Sequence, residues 1–281
     1  MIKAIFLTRH SDLGASSRLR SVQYIPFLNA NGLDVYLSPL FSNEYLLSKY
    51  GGKSTKKEII LGYFNRFRVL LSLKKYDVVF IEKEIFPLIP AIAEYFLYKF
   101  RIKYIVDYDD AVFHNYDLSN NIIVRTVMRH KIDRVMSCAA CVVAGNEYLS
   151  KRAMAAGAQW VELIPTVVDI MRYSPRINFS SCRPVIGWIG SPSTQDYVVG
   201  IKDALVSICN TYRARLLLIG ATEKMHTEFN DLDIEILPWS EDKEAEFIRK
   251  MDIGIMPLPD GPWEKGKCGY KIIQYMASGV P

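Results

Sequence analysis

The chain has 281 residues, 50% of them hydrophobic, with 35 Lys plus Arg against 30 Asp plus Glu and a formal net charge of +5. A length near twice the ~150-residue domain prior favours two globular units, and the hydrophobic share excludes a disordered tail, a fibre or a low-complexity linker. Charges that nearly cancel leave no global footprint for nucleic acid, so any partner preference must come from local clusters. Cys138, Cys141, Cys182, Cys209 and Cys268 are sparse and odd in number, which predicts reduced thiols. Cys138 and Cys141 form a C-x-x-C, but without a second pair or a nearby His a structural zinc lacks half its ligands, and small-residue packing is expected. The opening run from Met1 to Arg9 turns polar too soon for a secretory leader, and uncharged runs fall short of the ~18 residues of a membrane span. A soluble or surface-attached protein is expected.

Short aliphatic runs at 3–7, 34–37, 77–82, 103–107, 141–144 and 161–164 predict strands, with helical periodicity at 17–31, 86–100 and 122–139 between them. A second series of runs follows at 184–188, 215–219, 233–237 and 252–256. Continuous apolar strands alternating with helices predict parallel sheets covered on both faces. The stretch 173–181, flanked by prolines and without periodicity, reads as a linker between domains 1–175 and 176–281. The expected fold is α/β, with two Rossmann-like domains facing across a cleft and ligands bound beyond the carboxyl ends of the strands.

Motifs in chain order sharpen the site. Gly14-Ala15-Ser16-Ser17-Arg18-Leu19-Arg20 opens a helix after the first strand, where Ser16 or Ser17 serves as cap, as site contact or as both. Arg18 and Arg20, two residues apart on a helix, are not expected to point inward together, and Arg18 is favoured as the phosphate or acceptor contact. Between 49 and 75 lie Lys49, Lys53, Lys56, Lys57, Arg66, Arg68, Lys74 and Lys75 among Ile, Leu, Tyr and Phe, with Glu58 the only acid. That pattern suits either a membrane-surface helix or a core-facing helix with a solvated basic face, and membrane contact is favoured. Of Glu82 and Glu84 at the third strand's end, Glu84 is expected to reach the cleft. Asp107-Tyr108-Asp109-Asp110 fits a D-x-D metal site, acceptor hydroxyl binding or capping, with the last two favoured. Gly269 opens a helix whose first-turn amides could hold a diphosphate beside Lys267 or Lys271, although an ordinary amphipathic helix reads equally well.

The segment from Gly266 through Gln274 to Ala277-Ser278-Gly279-Val280-Pro281 resembles the donor-site helix of GT-B glycosyltransferases, in particular glycosyltransferase family 4. In that family a glutamate, seven residues and a second glutamate precede Ala-Met-Ala-Ser-Gly-Val-Pro; here the two positions hold Gly266 and Gln274. The resemblance implies a retaining, metal-independent transferase that moves a sugar from a UDP- or GDP-sugar to a glycan or lipid-linked acceptor in envelope polysaccharide synthesis. It implies a cytoplasmic location on the inner membrane face, no cofactor beyond the donor, and no nucleic-acid partner. Donor contacts are then expected from Ser16, Arg18, Gly190, Ser191, Gly220, Trp239, Glu264, Lys267, Gly269, Tyr270, Lys271 and Gln274, with Trp239 either receiving the base or packing at the rim. Asp109, Asp110, His114 and Lys267 are the expected catalytic residues, and Arg20, Glu84 and Asp109 the acceptor contacts. The missing first glutamate and the lack of a basic pair after Gly187-Trp188-Ile189-Gly190 keep a non-catalytic nucleotide-sugar-binding subunit as the alternative. A nicotinamide-dependent epimerase or dehydrogenase is disfavoured by the missing glycine fingerprint. The same relatives continue beyond a Val-Pro pair, so the resemblance implies a second domain cut short and further chain after Pro281.

Overall fold

The protein is described by a computed structural model over residues 1–177 and 183–281. Cys182 and residues 178–181 of the expected linker lie outside the described residues. The chain forms two compact units, one of Met1–Thr166 with Gly261–Cys268 and the other of Val167–Asp260 with Gly269–Pro281.

In the first unit the strands are β1 (Ile2–His10), β2 (Leu33–Phe41), β3 (Val78–Glu82), β4 (Tyr104–Tyr108), β5 (Cys141–Ala144) and β6 (Val161–Leu163). They make one parallel sheet in the order β2-β1-β3-β4-β5-β6. Helices α1 (Ala15–Arg20), α2 (Ile25–Ala30), α3 (Asn43–Tyr50), α4 (Lys56–Leu70), α5 (Ile92–Lys99), α6 (His114–Asp117), α7 (Ile122–Met128), α8 (Lys131–Cys138) and α9 (Glu147–Ala155) connect them. Because helices cover both faces, strand residues on either side are apolar: Ala4, Ile5, Phe6 and Leu7 in β1 are all buried, as are Val142, Val143 and Ala144 in β5. Parallel register also sets every strand's carboxyl end at one edge, with Glu82 of β3 beside Asp107 of β4.

The second unit holds β7 (Val185–Ile189), β8 (Arg215–Ile219), β9 (Ile234–Leu237) and β10 (Ile253–Gly254), parallel in the order β10-β7-β8-β9. Its helices are α10 (Asp196–Val199), α11 (Lys202–Tyr212), α12 (Lys224–Glu228), α13 (Glu244–Ile248) and, after the short α14 (Pro262–Lys265) of the first unit, α15 (Tyr270–Ala277). Two apolar layers flank this sheet, one around Leu217, Ile219, Met251 and Tyr275 and the other around Trp188, Leu216, Leu218 and Phe229.

Three expected helices are shorter than their periodicity suggests. The pattern at 17–31 is broken into α1, a 3₁₀ turn at Val22–Tyr24 and α2, because Pro26 has no N–H for the preceding turn and instead starts a new helix. Pro87 and Pro90 likewise delay α5 to Ile92, and 122–139 divides into α7 and α8. The last expected strand, 252–256, is reduced to Ile253–Gly254. Cys138 and Cys141 are free thiols, the first ending α8 and the second opening β5, and burial raises the pKa of both.

Helix α4 is fixed in rotation by two residues of its inner face. Arg66, 2% exposed, donates from Nη2 to the carbonyls of Thr8 (2.6 Å) and Ser38 (2.9 Å), tying the helix to β1 and β2. Burial lowers its pKa to about 10, against the pull of Glu82 and Glu94. One turn before it, Gly62 passes so close to β2 that a Cβ would lie 2.3 Å from the Leu40 carbonyl oxygen. Alanine is the better helix former by about 1 kcal/mol, yet this backbone clash is expected to cost Gly62→Ala a net 1–3 kcal/mol in urea unfolding. A variant more stable than wild type would show that α4 does not sit this tightly on β2.

Candidate functional site

In the first unit the site grows from the ends of β1, β3 and β4. After β1 the chain turns through Gly14, where a Cβ would fall 2.4 Å from that of His10, and enters α1 with Gly14 as a cap that uses no side chain. Ser16 and Ser17 therefore do not cap the helix. Ser17 Oγ donates to Glu82 Oε2 (2.6 Å) and accepts from the His10 amide (3.0 Å), while Ser16 Oγ accepts from Lys83 Nζ (3.1 Å). Burial pushes the His10 imidazole down to about 3, with Arg9, Lys83 and Lys49 adding to the effect.

Arg18 and Arg20 are both buried, contrary to the expectation from their spacing. Helix α1 ends at Arg20, so the two guanidinium groups diverge: Arg18 Nη1 donates to the Asp12 carbonyl, and Arg20 grips Asp107. In that clamp Arg20 Nε lies 3.0 Å from Asp107 Oδ2 and Nη2 lies 2.5 Å from Oδ1, with Nη1 on the Ile164 carbonyl at 2.8 Å. Burial pushes the Asp107 carboxyl up to about 6 while Arg20 opposes that shift, so the pair is ionised at neutral pH. Arg20 is thereby occupied inside the unit instead of facing an acceptor.

Lys83 is the centre of the cluster, and the sequence reading missed it. It follows β3 in a left-handed backbone conformation (φ 65), which costs a residue with a Cβ about 1–2 kcal/mol. That turn carries Nζ to 2.9 Å from Asp109 Oδ1 and 3.2 Å from Asp110 Oδ2. Burial alone would lower the pKa of Lys83, but Asp109, Asp110 and Glu82 outweigh it and hold the ammonium well above its ordinary value. For Asp109 burial acts upward, and Lys83 and Ser16 overcome it to leave the carboxyl below its ordinary range. Lys267 Nζ completes the arrangement, 2.8 Å from Asp110 Oδ1. Asp109, Asp110, Lys83 and Lys267 are thus brought together, with Asp110 and Lys267 the more open members at 19% and 22% side-chain exposure.

Glu84 and His114 stand apart from this group. Glu84 is buried against Lys131 and accepts from Tyr116 Oη at 2.7 Å, an internal pairing that leaves it no open face. His114 has both ring nitrogens engaged, Nδ1 with Asp117 Oδ1 (2.7 Å) and Nε2 with Tyr148 Oη (2.8 Å).

The segment Gly261–Cys268 is fastened to this unit by hydrogen bonds that no motif announced. Asn146 Nδ2 donates to the carbonyls of Lys265 (3.2 Å) and Lys267 (3.1 Å), and Cys268 Sγ donates to the Asp109 carbonyl (3.2 Å). Gly266 lies flat on α6's approach, where a Cβ would be 2.5 Å from the Ala111 amide nitrogen. The position expected to hold a glutamate is closed to any side chain by backbone, and Glu264 on α14 is half-buried in the same segment.

In the second unit the ends of β7, β8 and β9 converge. Gly220 follows β8 with φ 80, and a Cβ there would meet the Gly190 carbonyl oxygen at 2.1 Å and Trp239 at 3.1 Å. Ser191 pairs with Ser193 (2.8 Å), and Thr222 donates twice to Gln195 Oε1. Trp239 Nε1 donates to Glu244 Oε2 (3.0 Å), and Glu244 Oε1 accepts from Tyr173 Oη (3.1 Å). Gln274, 2% exposed, spends its amide on that same Tyr173 Oη at 2.9 Å. The ribose contact expected of Gln274 is thus replaced by an internal relay through Tyr173 and Glu244. Helix α15 begins on Gly269 with φ 65 and open space around its Cα, followed by Tyr270 and by Lys271, whose ammonium lies 5.6 Å from the Trp188 ring centre. Among the described residues no group of three or more His, Cys, Asp or Glu is placed to hold a metal ion.

No family model matches the chain, and no curated relative does. Solved structures do. A UDP-forming α,α-trehalose-phosphate synthase from Burkholderia xenovorans matches with a TM-score of 0.63 at 11% identity, over 100% of this chain and 82% of that one. Anabaena HepE in complex with UDP and glucose matches with a TM-score of 0.63 at 14% identity, over 100% and 80%. UDP-GlcNAc 2-epimerase from Neisseria meningitidis, bound to UDP-GlcNAc, matches with a TM-score of 0.52 at 9% identity, over 90% and 76%. The fold is GT-B. At these identities the likeness is one of fold, and chemistry has to be argued from the side chains.

Two outcomes are expected. Lys83→Gln leaves Asp109 buried without its counter-ion and should lose about 3–5 kcal/mol at neutral pH. In wild type the Asp109 contribution is present above its ordinary pKa and lost only as pH falls through a lower folded value. In Lys83→Gln the carboxyl rises instead, the folded state takes up the proton first, and stability should increase as pH is lowered toward the ordinary carboxylate range. Urea titrations at neutral and mildly acidic pH check both signs, and equal slopes for the two proteins would dismiss Lys83 as the counter-ion. Gly266→Glu, which restores the family residue, should lower stability by roughly 1–3 kcal/mol because the backbone of Ala111 must move; a neutral effect in the same titration would mean that the position is open.

Proposed function

We propose that the chain is a nucleotide-sugar-dependent glycosyltransferase that moves a sugar from a UDP- or GDP-sugar to a hydroxyl of a glycan or lipid-linked acceptor, with retention and without a metal, in cytoplasmic assembly of envelope polysaccharide. The observation that carries this reading is α15: an eight-residue helix entered through a left-handed glycine in open space, with Lys271 in its first turn. Helix amides and a lysine at one point favour a diphosphate, and the fold is shared with a UDP-forming synthase and with a protein holding UDP and glucose.

The chemistry follows from charge. The acceptor oxygen bonds to the anomeric carbon as its bond to the donor diphosphate breaks, and the hydroxyl proton passes to an oxygen of the departing diphosphate. No strong protein base is then required, because the negative charge that develops is met by the α15 amides and Lys271. Asp109, paired with Lys83, and Asp110, paired with Lys83 and Lys267, are suited to accept hydrogen bonds from acceptor hydroxyls. Trp239, fixed by Glu244, offers a half-buried ring for a nucleobase.

A second reading has its own support. Ala111 closes Gly266 and Tyr173 occupies Gln274, so neither position of the family's paired carboxylates is open, as in a binding subunit without turnover. A panel of UDP-, GDP- and ADP-sugars separates the two. The transferase reading expects a thermal upshift with one donor, release of the nucleoside diphosphate in the presence of chelator, and a product anomer matching the donor. Lys271→Ala should reduce kcat/KM by about a hundredfold. Saturable donor binding with no transfer or hydrolysis across the panel would falsify the transferase and establish the binding subunit.

A further inference from the structure

Helix α4 carries two apolar faces, and only one of them is used. Gly62, Arg66, Val69 and Leu70 turn toward the sheet, locked there by the Arg66 hydrogen bonds to Thr8 and Ser38. The opposite stripe, in which each residue lies about one turn beyond the last, is Ile60, Phe64, Phe67 and Leu71, exposed by 69, 58, 55 and 74%. Large apolar residues exposed singly are ordinary, but four consecutive positions along one helical stripe form a contiguous patch, where a surface helix ordinarily presents polar side chains outward.

The rim of the stripe is basic. Lys53, Lys56 and Lys57 precede it, Arg68 lies along it with its guanidinium 6.0 Å from the Phe64 ring, and Lys74 and Lys75 follow it, all exposed. Glu58, the only acid between 49 and 75, is half-buried. A second copy of the chain is a poor occupant, because a two-fold contact would press these cations against their own images. The aliphatic members Ile60 and Leu71 offer neither stacking nor hydrogen bonds to a nucleic acid. Apolar side chains able to enter a headgroup layer, ringed by lysines able to meet its charge, match an anionic bilayer surface.

We propose that the outward face of α4 docks the protein on an anionic membrane, with Ile60, Phe64, Phe67 and Leu71 entering the interface and Lys56, Lys57, Lys74 and Lys75 meeting lipid phosphates. The inference stands on α4 and does not depend on sugar transfer. Among the described residues no helix is long and apolar enough to cross a membrane, so binding of this kind lies on the surface and is reversible.

Vesicle sedimentation without any nucleotide sugar tests it. The full chain is expected to pellet with phosphatidylcholine vesicles containing about a third phosphatidylglycerol, to stay in solution with phosphatidylcholine alone, and to be released by salt. Lys56→Gln with Lys57→Gln should weaken partitioning by roughly fivefold per lysine. Phe64→Ser with Phe67→Ser, both at exposed positions, should abolish pelleting while the thermal midpoint holds. Phe96→Ser, at an exposed residue of α5, should leave pelleting unchanged. The proposal falls if wild type ignores anionic vesicles or if the Phe64/Phe67 variant binds them as well as wild type. It falls equally if that variant instead dissolves a concentration-dependent dimer, which would assign the face to a second copy.

Discussion

Carboxylates gather where the strands of the first sheet end, out of contact with water, and the cations set among them keep that arrangement folded. Glu82, Glu84 and Asp107 are each buried to within a few per cent, and Asp109 is little more open. Burying one such charge alone costs several kcal/mol, so each must find a partner or a proton. Arg20 answers Asp107, Lys131 answers Glu84, and Lys83 answers Asp109 and Asp110 together. Glu82 has no such clamp: Ser17 and the Arg9 amide supply hydrogen bonds, and burial raises its pKa. The cluster is therefore graded, neutralised in depth and open only toward Asp110 and Lys267, where exchange of a lysine contact for a ligand hydroxyl costs least.

Parallel register makes this possible. Because all six strands of the sheet run one way, the loops after β1, β3 and β4 emerge side by side, and residues distant in sequence such as Ser17 and Glu82 become hydrogen-bonded neighbours. The left-handed turn at Lys83 is the local cost of that convergence. An extended Lys83 would send its side chain to the far face of the sheet, and the carboxylates of Asp109 and Asp110 would lose their shared cation.

Much of the architecture was legible in the sequence. Fully buried parallel strands leave unbroken aliphatic runs, so the strand positions followed from those runs, while the helices are shorter where Pro26, Pro87 and Pro90 interrupt the periodicity and where 122–139 divides without a proline. The site was less legible, because a charge's partner is a fact of tertiary structure. Ile81-Glu82-Lys83-Glu84-Ile85 resembles a solvated turn, yet Ile81 and Ile85 are both fully buried, and apolar residues on either side of a charged triplet were the available signal. Arg18 and Arg20 lie on different sides of a helical wheel, yet both are buried, because α1 ends at Arg20 and Ser21 beyond it is buried as well. Nothing local distinguishes Asn146, which pins a segment more than a hundred residues away, or Glu244, which takes the hydrogen bonds of Tyr173 and Trp239.

The C-terminal motif shows how resemblance and packing part company. Its glycosyltransferase-like residues fall in two units, Gly266 and Lys267 in the first and Gly269 through Pro281 in the second. Restoring glutamate at Gly266 in sequence would not restore it in space, since Ala111 occupies the volume a side chain needs. Gln274 is likewise spoken for by Tyr173, whose hydroxyl leads on to Glu244 and thence to Trp239. A carboxylate is thus present in the second unit after all, reached through a tyrosine and carried by α13 instead of α15, and it fixes the indole ring at the strand ends. The second unit thus places its carboxylate on α13, where Glu244 holds Tyr173 and Trp239 together, while α15 contributes only the neutral Gln274 to that relay.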